Sequence, residues 1–159
     1  MRVSFMKIRE YRFDTDYEAI LKLSERLADF ELPVRIKQEV LSQKQREWLV
    51  ADLEKQSENS QLLVVEDDNC SVQGFLELLE EIDWLTDQKQ AYVSRVCLAR
   101  EIEGFGYGKR LMQLAEDWAI TQGYAGITLL VVATNQRAAA FYRSLGYEIE
   151  TMKLRKALD

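Results

Sequence analysis

The 159-residue chain contains no histidine. That absence excludes a Ser-His-Asp triad, a Cys-His pair and the common His-containing zinc sites together. Cysteine occurs twice, at Cys70 and Cys97, without CxxC spacing. Neither a disulfide framework nor a thiolate metal site is expected, and a reducing cytoplasm is the compartment that such usage fits. Proline occurs once, at Pro33, and no linker, repeat or low-complexity tract divides the chain. No run approaches the ~18 apolar residues that span a bilayer, and the first residues lack the apolar stretch of a secretion signal. The expectation is a single domain over residues 1–159, beginning at Met1 or at Met6, with no membrane partner.

What is present leans acidic. Lys and Arg number 21 against 27 Asp and Glu, a formal net charge of −6. Such a surface repels nucleic-acid phosphates and is compatible with a cationic substrate. Without histidine, chemistry must rest on carboxylates, Tyr, Ser, Cys, Lys or backbone dipoles.

The periodicities predict β-α-α-β-β-β-loop-α-β-α-β. Residues 7–13 alternate weakly as a strand; Thr15 and Glu18 form a capping box for a helix to about Glu31. Pro33 opens a second helix that runs to about Gln56. Residues 61–66, 71–81 and 91–98 read as strands, the last β-branched and aromatic. Residues 109–121 form a helix, residues 127–133 a strand buried on both faces, Thr134 or Asn135 caps a helix to Leu145, and residues 147–154 make a last strand. The fold class is α/β (α+β): a mixed, mostly antiparallel sheet flanked by helices on both faces.

Between the strand ending at Leu98 and the helix of residues 109–121 lies Glu103-Gly104-Phe105-Gly106-Tyr107-Gly108. Alternate glycines expose consecutive backbone N–H groups and admit a ligand without Cβ interference. The following helix N-terminus, with Lys109 and Arg110, suits phosphate oxygens. An NTPase phosphate loop fails, because it needs Ser or Thr at Arg110 and glycine at Glu103. A dinucleotide fingerprint fails too, because it needs glycine at Lys109 or at Leu111. A tight turn without a ligand stays open on the loop alone.

Val96-Cys97-Leu98 with residues 103–111 resembles the acetyl-CoA-binding motif of the GNAT superfamily of N-acetyltransferases, a strand followed by [Q/R]-x-x-G-x-[G/A] and a helix. Downstream, Asn135-Gln-Arg-Ala138-Ala-Ala-Phe141-Tyr142-Arg-Ser-Leu145-Gly146-Tyr147 resembles the superfamily's second signature, N-x-x-A-x-x-[LF]-Y-x-x-x-G-[FY]. The resemblance covers roughly residues 91–156 and implies acetyl-CoA as cosubstrate. It implies that the strand at Val96, Cys97 and Leu98 pairs with the pantetheine arm, and that backbone N–H groups from Gly104 to Lys109 take the pyrophosphate. Asn135 would contact the cofactor, and Tyr142 would protonate the departing CoA thiolate; each also has a plainer reading, as helix cap and as core packing. Glu103 departs from the motif, which has Gln or Arg there, and its charge calls for pairing with Arg100, Lys109 or Arg110.

A superfamily reaction is direct attack of a primary amine on the thioester in a ternary complex, which calls for a base. Residues 92–98 contain no acid, and Ser94 occupies the place where a Glu is usual. Glu77, Glu80, Glu81 and Asp83 on the adjoining strand are the base candidates, with Ser94 or Tyr92 as relay, although alternate acids on a strand usually mark a solvated face. Asp29 and Glu31, between the first two helices, would attract a small or peptidic cationic amine. The competing reading is a non-catalytic protein of the same fold that holds CoA or acyl-CoA as a sensing or structural ligand. A homodimer is expected by analogy.

Overall fold

The computed structural model describes residues 5–158, so Met1 lies outside them. The chain forms β1 (Lys7–Glu10), α1 (Phe13–Leu23), a 3-10 turn (Ser24–Ala28), α2 (Gln38–Lys55), β2 (Ser60–Glu66), β3 (Val72–Ile82) and β4 (Lys89–Leu98). A second 3-10 turn (Arg100–Ile102), α3 (Tyr107–Thr121), β5 (Ile127–Leu129) and α4 (Gln136–Ser144) follow. The sheet order is β1-β2-β3-β4-β5, with every pair antiparallel except β4-β5.

Strand alternation sends side chains to two cores. Leu63, Val65, Leu76, Leu78 and Val93 pack on Leu111, Met112 and Ala115 of α3, and Phe141 and Tyr142 of α4 join them with Leu145 just after it. On the opposite face Val64, Phe75 and Cys97 meet Ile20 and Leu21 of α1 and Leu49 and Leu53 of α2. Each such buried Leu, Ile or Phe contributes about 1.5–3 kcal/mol. The expected mixed sheet with helices on both faces is therefore present.

Local details differ from the sequence expectations. The Thr15–Glu18 box does not form; α1 begins at Phe13, and the buried Asp16 carboxylate instead accepts the Arg12 N–H at 2.7 Å. Asp16 also takes Arg9 Nη1 at 2.7 Å and Nη2 at 2.9 Å, which clamps β1 to α1. Burial alone would raise this carboxyl; its bonds to Arg9, the Arg12 N–H and Thr15 outweigh that and hold it below the usual range. Pro33 supplies a tight turn, with the Ile36 N–H on its carbonyl at 2.8 Å, and α2 waits until Gln38 because Lys37 is extended.

The third and fourth differences concern the C-terminal end of the sheet. β5 stops at Leu129, not at residue 133. Glu77 pairs with Arg95 and Leu78 with Val93, so Ser94 is an extra residue on β4. A bulge of this kind bends and twists its strand, and β5 meets β4 only through Ala91–Val93, before the bulge. Residues 147–154 form no strand: the alternation exists, but no partner among the described residues receives it, and Ile149 is 67%, Met152 77% and Leu154 89% exposed.

Candidate active site

The bulge creates a fork. The Ala91 N–H donates across to Gly126 O at 3.1 Å, whereas past the bulge the Ala99 N–H donates to Gln73 O at 2.7 Å, towards β3. Peptide groups alternate along a strand, so Val96 and Leu98 direct theirs away from β3, to the side that β5 has vacated. Cys97, grouped with them by the motif, lies off this slot. Its backbone faces β3, its Sγ–H donates to Leu23 O at 3.3 Å, and burial pushes the thiol up to about 12.

The glycine turn continues from the fork. Gly104 at φ 80° and Gly106 at φ 87° occupy the left-handed region, and no atom lies within 4 Å of where a Cβ would stand. The turn is thus open on its outer side. The helical ladder begins with Arg110 N–H on Gly106 O at 3.0 Å. The N–H groups of Tyr107, Gly108 and Lys109 precede it and are available to an anion. Phe105 and Lys109 are exposed. Tyr107 can serve only by its backbone, because its hydroxyl accepts the Met6 N–H at 3.3 Å and its ring packs on the core. A Cβ on Gly108 would stand 3.3 Å from Phe141 Cζ, so a bare residue there lets α4 close on the start of α3.

Glu103 is paired, but not with the residues expected. Arg26 Nη2 donates to it at 2.8 Å and Arg137 Nη2 at 3.1 Å. Arg100 instead binds Asp29 at 2.5 Å, Lys109 and Arg110 are exposed at the helix start, and Arg26 also donates to the Leu98 carbonyl. Burial alone would raise the Glu103 carboxyl; the bonds from Arg26 and Arg137 bring it below the usual carboxylate range. Asp29 is consumed by the same network, reaching Arg26 at 3.4 Å, while Glu31 is exposed. Arg26 and Arg137 were not anticipated: nothing in the sequence ties Arg26 to a residue 77 positions away.

Across β4 lies a second charged group. Arg95 Nη1 donates to Asp52 at 2.6 Å, to Glu77 Oε2 at 2.8 Å and to Ser94 Oγ at 3.2 Å. Glu77 and Arg95 are both buried, so Glu77 does not sit on a solvated strand face. Desolvation pushes the Glu77 carboxyl up; Arg95 opposes this and Asp52 adds to it. Glu77 and Asp52 line a cavity of about 400 Å³ with Tyr11, Gln56, Ser60 and Gln61. The Tyr11 hydroxyl is buried there without a partner among the described residues. Arg95 and Asp52 were missed because their roles depend on strand register.

The other acids divide. Glu80 points with Ala91 to the α3 face, where Tyr124 and Lys89 hold it below the usual range. Glu81 accepts from Gln90 Nε2 at 2.9 Å and Thr128 Oγ1 at 2.7 Å. Asp83 caps the β3–β4 turn, accepting the Leu85 N–H at 3.0 Å. Tyr92 pairs with Leu79, next to the bulge, and burial raises its phenol.

Tyr142 packs edge-on between Phe141 (ring centroids 5.2 Å apart) and Tyr147 (5.8 Å), and burial pushes its phenol up to about 12. The core-packing role is thus real. Asn135 is the cap of α4: its side chain accepts the Ala138 N–H at 3.3 Å. No group of three or more His, Cys, Asp or Glu able to hold a metal occurs among the described residues.

A mixed sheet forked after β4, with an open glycine turn leading into a helix N-terminus, defines the class of α/β architecture to which the chain belongs. The acetyltransferase (GNAT) family model matches residues 23–147, and the chain belongs to that family. It is 35% identical over 69 residues to GCN5-related N-acetyltransferase 7, chloroplastic, of Arabidopsis thaliana, a stretch that covers 41% of this chain and 24% of that protein. The structure of a putative acetyl transferase from Pyrococcus furiosus superposes with a TM-score of 0.78 over 97% of this chain and 100% of that one, at 23% identity. Glucosamine-6-phosphate N-acetyltransferase from Arabidopsis thaliana gives 0.68 over 98% and 100%, at 14% identity. These structural likenesses establish the fold.

Proposed function

We propose that the chain moves an acetyl group from acetyl-CoA to a primary amine, small or peptidic and cationic, by direct attack in a ternary complex. The observation that carries this reading is the continuity of the fork with the glycine turn. The outward peptide groups of Val96 and the Leu98 N–H suit an extended amide arm, the Leu98 carbonyl being held by Arg26. Unladdered N–H groups at Tyr107, Gly108 and Lys109 suit its pyrophosphate, and Arg26, Arg137 and Lys109 add cationic charge.

On this reading a backbone N–H near Val96 to Leu98 polarises the thioester carbonyl. The Tyr142 phenol keeps its proton at neutral pH and has it ready for the departing thiolate. Glu77 is the acid best suited to take a proton from the incoming amine, directly or through water and Ser94, because burial has raised it and it lines a cavity. Glu80 and Asp83 are held low by their bonds and serve the fold. Asn135 orients α4 at the rim of the cofactor site.

A second reading, a non-catalytic protein that holds CoA or acyl-CoA, is favoured by the Arg26 guanidinium on the Leu98 carbonyl and by the lack of an acid on β4. The two separate in one assay: thiol release from acetyl-CoA across a panel of amines, including amino sugars, polyamines and peptide N-termini. The enzyme reading expects at least one amine to raise release well above buffer. Thermal stabilisation by acetyl-CoA with no active amine would transfer the case to the second reading; a ligand at 100 times its Kd adds about 2.7 kcal/mol.

A further inference from the structure

A cavity of about 400 Å³ lies between the C-terminal end of α2 and the sheet. Its volume is that of a small-ligand site. Its floor crosses the sheet in one row: the Tyr11 N–H donates to Leu62 O at 2.9 Å, Leu62 pairs with Glu77, and Glu77 pairs with Arg95. From the end of β1 to β4 that row covers three strand spacings, about 14 Å. Leu53, Leu62 and Leu79 give the cavity apolar surface, and Glu10, Asp52 and Glu77 give it three carboxylates. Against these stands a single lining cation among the described residues, Lys55, which is exposed.

Two further observations point to a ligand. The Tyr11 hydroxyl oxygen is buried on the cavity wall with no partner among the described residues, a costly state for a polar group unless something else bonds it. Asp52 gives Oδ2 to Arg95 at 2.6 Å, while its other oxygen has no hydrogen bond among the described residues and its side chain is 38% exposed. The cavity is also joined to the cofactor slot. Arg95 Nη1, which bonds Asp52 and Glu77, donates to Oγ of Ser94, the bulge residue beside the fork.

We propose that this cavity holds the far end of the acceptor, and that the acceptor is a linear diamine or polyamine. A second ammonium bonds the free oxygen of Asp52, and Glu10 and the Tyr11 oxygen take the next nitrogen along the chain. The methylenes between them lie on Leu62 and Leu79. The near amine reaches the fork at Ser94, where its nitrogen forms the C–N bond as the thioester C–S bond breaks, and the proton it loses leaves on the CoA thiol. The reaction rests on the acetyl-transfer reading above; the site rests on the cavity. Carboxylates accept and do not donate, so the wall calls for a ligand rich in N–H. An amino acid or a peptide C-terminus would bring a carboxylate against three others. A sugar would set hydroxyls on the leucine surface without partners. A chain of alternating ammonium and methylene groups matches both the acids and the leucines.

Steady-state transfer on the full chain compares butylamine, putrescine and spermidine. The wild type should use spermidine with kcat/KM at least tenfold above butylamine, with putrescine between them. Asp52→Asn should reduce that ratio at least fivefold, whatever it does to the absolute rates, and the loss should appear in KM for the amine. Equal kcat/KM for the three amines overturns the proposal, as does a ratio that persists in the folded variant. Should Asp52→Asn fail to fold, Tyr11→Phe/Glu10→Gln takes its place under the same criterion. Equilibrium dialysis of spermidine without acetyl-CoA separates the site from the reaction. Saturable binding that weakens at least fivefold in the variant, with no amine acetylated, would sustain the site and end the transfer reading. Spermidine that fails to bind, or binds the variant as well as the wild type, overturns the site, and transfer to another amine would then leave the transfer reading standing.

Discussion

Two carboxylates, Glu77 and Glu103, lie either side of β4, each gripped by arginine, and their protons are pushed in opposite directions. Glu103 keeps about a quarter of its side chain exposed (27%) and has two guanidinium partners, of which Arg26 also reaches Asp29 at 3.4 Å. Glu77 is 5% exposed and shares one guanidinium with Asp52. Where water still reaches, two cations win and the carboxyl is held low. Where it does not, desolvation wins over a single shared cation and the carboxyl is raised. An arginine contact therefore does not by itself fix a carboxylate as an anion; the balance with burial does. Glu103 is suited to be a permanent strut between the 3-10 turn and α4, and Glu77 to exchange a proton.

Removing the shared cation should break that balance most visibly. Arg95→Ala leaves Glu77 buried without a partner, which costs about 3 kcal/mol at neutral pH. The Glu77 carboxyl is already raised in the fold, so its ionised form opposes stability and its protonated form does not. The penalty should accordingly be least in acid and grow as pH rises through the folded value. Urea midpoints at several pH values check this, and a pH-independent loss would show that packing, not charge, was removed.

The next effect is kinetic. If Glu77 takes the amine proton, Glu77→Gln should lower kcat by about 100-fold, near 2.7 kcal/mol of barrier, and leave KM for acetyl-CoA unchanged. Because the carboxyl must be ionised to act, the wild-type rate should rise with pH through its raised value, and the variant should lack that limb. Glu103→Gln should keep the limb. Identical profiles in wild type and Glu77→Gln would remove Glu77 from the chemistry.

On the cofactor side the expected change is smaller and appears in binding. Arg26→Ala frees the Leu98 carbonyl and takes one of two cations from Glu103. KM for acetyl-CoA should rise about tenfold, or 1.4 kcal/mol, with kcat within about twofold. A fall in kcat at constant KM would instead mean that Arg26 serves the acceptor.

The contrast between these sites also marks what the sequence made legible. Glycines at 104, 106 and 108, and Asn135 with Tyr142, announced the loop and its partner helix because their roles are local: a positive φ, a cap, a helix start. Element order followed from periodicity for the same reason. The Arg26–Glu103 and Arg95–Glu77–Asp52 contacts were not legible, since each joins residues brought together by sheet register and helix docking. The bulge at Ser94 accounts for a β5 shorter than expected, since β5 meets β4 only before it. Glu77 faces the buried α1–α2 side through β3's own alternation with Phe75. Residues 147–154 alternate as a strand does, but alternation is a property of the side chains. Strand structure also needs a partner ladder, and the described residues supply none there.

The smallest effect sharpens the account of Glu103. Arg137 is 79% exposed, so its pair with Glu103 works against water and salt, and pairs of that kind contribute about 0–1 kcal/mol. Arg26 has a side chain 22% exposed and a second anchor on Leu98. Arg137→Ala should therefore shift the thermal midpoint little and change KM for acetyl-CoA by about twofold or less, with the difference shrinking further as ionic strength rises. If the two arginines act only through their shared carboxylate, the double variant should fall short of the sum of the singles, and Glu103→Gln should erase the Arg137 effect. If instead each meets the pyrophosphate on its own, the effects add, and the Arg137 effect persists in Glu103→Gln. Titrating acetyl-CoA against dephospho-CoA and pantetheine on the wild type and these variants separates the cases. An effect that survives on pantetheine, which has no pyrophosphate, belongs to the strut, and one that vanishes belongs to direct contact.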